Sequence, residues 1–180
     1  MIVFDPDLDS DSGDKAATTV VPRGERLPSG RTLARFLAEA QAAVRLRGHV
    51  TVLLTTDTSI RRLNRQFRGK NKATDVLSFP ADPIPGLKPA QQIAGDLAIS
   101  VPTALRQAAA QGHALAIELK VLMLHGLLHL AGYDHEADTG QMARRERALR
   151  ARLKLPQGLI ERVEGSPAVK QPRRRTGARP

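Results

Sequence analysis

Apolar residues recur along this chain with two periods, and the alternation between them outlines a fold. From Thr32 to Arg47 they fall at helical spacing, at Leu33, Phe36, Leu37, Ala40 and Val44, with Ser29 placed as a cap and Gly48 as a stop. His49 to Thr56 (HVTVLLTT) is β-branched and apolar and predicts a strand; Asp57 or Thr58 then caps a short helix to about Phe67. Residues 68–73 (RGKNKA) read as a basic loop, and VLSF at 76–79 as a strand stopped by Pro80. Four prolines and a glycine make 80–92 an irregular connection. Ile93–Ser100 contains another strand, and Pro102 opens a helix running to about Gln111. Ala114–Ala131 is apolar on nearly every side, the mark of a buried central helix, whereas Asp138–Leu153 is an amphipathic helix rich in Arg and Glu. MIVF at 1–4 suits an edge strand. The expected fold is α+β, a small mixed sheet covered by helices.

Three regions are expected: an acidic, flexible segment over 1–30 after its short strand, a folded domain over 31–160, and a basic disordered tail over 161–180. The formal net charge of +10 belongs to the middle of the chain, residues 15–165, because −5 over residues 1–14 cancels +5 over 166–180. Such a surface either keeps the protein soluble or meets an anionic partner, of which nucleic acid is the commonest. Aromatics are only 3%, which argues against a sheet that binds bases by stacking. No uncharged apolar run reaches the length of a membrane span, and the acidic start is unlike a secretory signal, so the expected compartment is the cytoplasm. With no cysteine, any metal site must be built from His, Asp or Glu.

Such a site is suggested inside the central helix. His125 and His129 are four residues apart, so both imidazoles share a face one turn from each other. Gly132 can end the helix in a left-handed turn and bring His135 back toward them. Three imidazoles with one position left open is the pattern of a catalytic zinc, one ion per chain. The spacing equals that of the metalloprotease motif H-E-x-x-H-x-x-G-x-x-H, and the expected fold is zincin-like in this respect. The general-base Glu of that motif is replaced here by Gly126. A glycine inside a helix costs about 1 kcal/mol relative to Ala, so a side chain is expected to be unwelcome there, with substrate or another backbone passing close by. His49 and His113 have no such company and read as ordinary.

HGLLHLAGYDH at 125–135, with LNRQFRGKNKATDVLSFP at 63–80 and GDLAIS at 95–100, resembles the signature of the YbeY family of single-strand-specific endoribonucleases of ribosomal RNA maturation. The resemblance covers roughly residues 31–155. It implies His125, His129 and His135 as zinc ligands and Arg68 as a functional arginine. It also implies single-stranded RNA as substrate, the 3′ end of 16S ribosomal RNA and components of the small ribosomal subunit as partners, and ribosome quality control as a role; DNA is not expected. A guanidinium at Arg68 suits the charge that builds on phosphate oxygens, and also suits simple phosphate contact. Lys70 and Lys72 extend the basic loop toward backbone phosphate. Asp134 either orients an imidazole or caps the turn, and Asp75 has the same ambiguity. Glu118 lies seven residues before His125, about 10 Å along the axis, too far for a ligand and expected to pair with a base in the core. Tyr133 is expected to pack. The nucleophile is either a water on the metal or the RNA 2′-hydroxyl. The rival readings are a metalloprotease and a non-catalytic ribosome-assembly factor that uses zinc only for stability.

Overall fold

A computed structural model describes residues 1–8, 26–134 and 138–157. The expected flexible segment therefore lies mostly outside the described residues, and so do the basic tail and His135. Four strands, β1 (Ile2–Phe4), β2 (His49–Thr55), β3 (Val76–Pro80) and β4 (Ile93–Ser100), form one sheet in the order β1-β2-β4-β3. The first three neighbours run parallel, and β3 pairs antiparallel with β4, so the sheet is mixed as expected. Five helices cover it: α1 (Gly30–Val44), α2 (Asp57–Arg68), α3 (Val101–Gln111), α4 (Leu115–Leu130) and α5 (Gln141–Arg152).

The strands bury alternate residues on opposite faces. Val50, Val52 and Leu54 of β2 and Leu97 and Ile99 of β4 join the main core with α1 and α4, while Leu77 and Ala98 turn to the other face against Ile60 of α2. The apolar central helix is α4, as its sequence predicts, with eleven of its residues buried. It lies across β3 and β4 and touches α1, α3 and α5. Among the described residues no single helix is long and apolar enough to cross a membrane.

Several ends differ from expectation, for local reasons. The first helix stops not at Gly48 but at Arg45, whose left-handed backbone (φ 68°) lets its N–H reach the carbonyls of Gln41 and Ala42. Thr56, not Asp57 or Thr58, caps α2 by accepting from the N–H of Ser59 at 3.2 Å. Asp57 instead holds the start of α3, accepting from the hydroxyls of Ser100 and Thr103 and from Arg106 at 2.9 Å. Its carboxyl stays below the usual range because those bonds outweigh the opposing effect of burial. β3 takes in Pro80 as its last residue, opposite Gly95, one residue beyond the expected end; an edge strand tolerates the missing N–H. The last helix begins at Gln141, and Asp138 before it accepts from the N–H groups of Gly140, Gln141 and Met142 at 2.6–3.0 Å.

Candidate active site

α4 presents His125 and His129 at the edge of its buried apolar surface. Their Nε2 atoms stand 3.2 Å apart, with the ring planes at 71°. Two nitrogens at about 2.0–2.1 Å from one tetrahedral zinc would lie about 3.3 Å apart. The observed pair therefore fits two corners of such a site without movement. The helix then ends at Gly132 (φ 87°), with Tyr133 N–H returning to the Leu128 carbonyl at 3.0 Å, the hydrogen bond of a glycine-terminated helix. Gly132 thus has the expected left-handed backbone, and Asp134 beyond it lines the same cleft as the imidazoles. Among the described residues no three His, Asp or Glu side chains gather closely enough to hold a metal; the third expected ligand, His135, is outside them.

Gly126 has a different explanation from the one its sequence position suggests. A Cβ there would stand 2.7 Å from Leu97 Cδ2 and 3.3 Å from Ser78 Oγ. Neither substrate nor another backbone requires the glycine; the side chains of β3 and β4 do, because α4 packs directly on the sheet. This position faces the protein interior, so a catalytic base could not occupy it without displacing Leu97.

The histidines open into a cleft of about 1350 Å³. The end of α2 and the segment after it also line this cleft, bearing Arg68, Lys70 and Lys72, all exposed. Arg68 is the last residue of α2 and not part of the loop; Gly69 caps the helix just beyond it. The basic loop is braced from α2. Asn64 Nδ2 donates to the Lys72 carbonyl at 2.7 Å, and Arg61 Nε donates to Asn71 Oδ1 at 2.8 Å. Arg68, Lys70, Lys72, His125, His129 and Asp134, widely separated in sequence, thus line one cavity.

Asp75 also lines the cleft, as a structural joint: it accepts from its neighbour Val76 N–H, from Thr74 Oγ1 and from Gln107 Nε2 at 2.8–3.1 Å. Burial alone would raise its pKa, but these donors hold it below the ordinary value. Glu118 is buried, as expected of a core residue, and its neighbour is His113, with Nε2 3.1 Å from Oε2. Burial pushes the Glu118 carboxyl up. His113 is therefore not an isolated histidine but the base beside Glu118. Tyr133 packs half-buried against the core. His49 is exposed at the start of β2.

One contributor was missed in the sequence reading. Glu146 of α5 is 5% exposed; its Oε2 lies 3.0 Å from His125 Nδ1, and its Oε1 accepts from Arg150 Nε at 2.8 Å and from Nη2. Burial would raise the Glu146 pKa, but the bond to His125 and the Arg150 charge bring it below the usual range. Arg150 is 7% exposed and donates further to the Pro156 carbonyl. The available signal was the spacing of Met142, Glu146, Leu149 and Arg150, a single buried stripe that carries one acid and one base.

The family described as Endoribonuclease YbeY matches residues 29–154. An endoribonuclease YbeY of Koribacter versatilis is 49% identical over 147 residues, 82% of this chain and 91% of the relative. That of Solibacter usitatus is 45% identical, over 87% of this chain and 99% of the relative. A solution structure of TM1509 from Thermotoga maritima is 23% identical at a TM-score of 0.47, covering 95% of this chain and all of that one.

Proposed function

Since this chain belongs to the Endoribonuclease YbeY family, we propose that it is a zinc-dependent endoribonuclease that cuts single-stranded RNA. We propose ribosomal RNA as the substrate, with maturation of the 16S 3′ end and ribosome quality control in the cytoplasm as its role. The observation that carries this reading is the convergence of a paired imidazole site and a cationic wall in one cleft.

His125 and His129 would hold the ion, with His135 as the third ligand. A zinc ion bound there supplies Lewis acidity toward a phosphoryl oxygen or a water. The chain's own side chains do the rest. Lys70 and Lys72 draw the phosphate backbone into the cleft by charge. Arg68 faces the same space with a planar guanidinium that donates two parallel hydrogen bonds to phosphate oxygens, where charge grows during cleavage.

The protease reading loses support at Gly126. The motif's general base is absent, and a side chain at 126 would have to displace the buried Leu97. The test is to offer the purified protein a single-stranded RNA, its duplex and casein. Discrete fragments from the single strand alone are expected. Cleavage of casein would restore the protease, and RNA binding without cleavage would favour an assembly factor.

A further inference from the structure

We propose that Glu146, clamped by Arg150, is the positioning residue that prepares His125 as a metal ligand, by fixing its tautomer and ring orientation. The inference rests on the metal site proposed above and adds to it a residue from a different helix.

A neutral imidazole carries one N–H and one lone pair. An ionised carboxylate only accepts hydrogen bonds. Glu146 Oε2, 3.0 Å from His125 Nδ1, therefore requires the proton on Nδ1 and leaves the lone pair on Nε2. That Nε2 is the atom facing His129 Nε2 across 3.2 Å. Without the carboxylate both tautomers would be open to the ring, and one of them turns an N–H toward the ion.

The carboxylate cannot turn away. Its other oxygen is held by two donors of Arg150, and Arg150 is itself tied to the carbonyl of Pro156. A buried pair of this kind is a poor way to gain stability, since apolar residues of similar volume commonly do as well or better. Met142 and Leu149 on the same stripe already fasten α5 to the core. What apolar residues could not supply is an acceptor at Nδ1. Loss of such a partner commonly weakens metal binding by about 10- to 100-fold.

The test uses the full-length chain. Long-range proton–nitrogen spectra of the metal-free wild type are expected to show His125 with its proton on Nδ1. A proton on Nε2 overturns the inference. Glu146→Gln keeps shape and removes charge. Competition with a chromophoric chelator should give about 10- to 100-fold weaker zinc binding, with an unchanged circular dichroism spectrum. If that variant does not fold, Glu146→Leu combined with Arg150→Met removes the acceptor and the guanidinium together and is read the same way. Wild-type zinc affinity in a folded variant overturns the inference. Failure of the wild type itself to bind zinc is a separate result, and it overturns the metal site beneath.

Discussion

Arg68 stands where the end of α2 meets the cleft, exposed to the space that His125 and His129 also line. It shares no element with them, so removing it should leave the metal helix intact. Arg68→Ala is expected to lower single-turnover cleavage of RNA by about 100-fold or more at saturating enzyme, with zinc content unchanged. Arg68→Lys should recover only part, because a point charge cannot make the paired contact. An alanine variant that cleaves at the wild-type rate once saturated would reduce Arg68 to a phosphate anchor. Gly126 gives a second prediction. Gly126→Glu restores the protease motif by letter but presses a carboxylate into Leu97 and Ser78. It should cost at least about 3 kcal/mol in chemical denaturation and yield no proteolysis; a stable variant would contradict the packing described. At this scale the two described histidines were legible, since polar side chains one turn apart stand out on an apolar helix. Glu146 was not, because an Arg- and Glu-rich helix reads as a solvated face until its packing shows which stripe is buried.

The elements matter through the joints between them. Asp75 joins the start of β3 to α3 through Gln107, beside the cleft. Its folded pKa is depressed by its donors, so the ionised group stabilises the fold above the unfolded pKa, and that contribution drains away as pH falls through the folded pKa. Asp75→Asn should therefore be less stable than wild type near neutral pH, by about 1–3 kcal/mol, and the two should converge in acid, as pH falls through the depressed folded pKa. Urea midpoints across that range are the measurement, and a difference independent of pH would assign the effect to shape and not to charge. The pattern of apolar positions was enough to find the five α-helices and four strands among the described residues, through one buried face in α1, alternation in β2 and an apolar run on nearly every side in α4. It missed ends decided by single backbone groups, such as the left-handed Arg45 and the cap at Thr56. It also gave no order for the strands. The arrangement β1-β2-β4-β3 depends on which strands pair, and that is settled by long-range packing that no local window contains.

For the whole molecule the dominant fact is charge. The ends cancel and the middle carries +10, part of it along the wall formed by Arg68, Lys70 and Lys72. Affinity for single-stranded RNA should fall steeply with salt, and a chain ended after Glu164 should keep most of it, since phosphate neutralisation drives such binding. Complete loss of affinity on truncation would make the tail the binding element. The grouping of the two histidines with the basic wall could be read as two separate motifs in sequence but not as one cavity; only the packing of α4 beneath β3 and β4 brings them together. The central claim is that this cavity is a single metal-dependent cleavage site. It is tested most directly by single-turnover cleavage of single-stranded RNA by chelator-treated protein, before and after adding zinc, in wild type and His129→Ala. The account predicts that chelation abolishes cleavage, that about one equivalent of zinc per chain restores it in the wild type, and that the same zinc restores nothing in His129→Ala. Undiminished cleavage after chelation, or full recovery in His129→Ala, would contradict it.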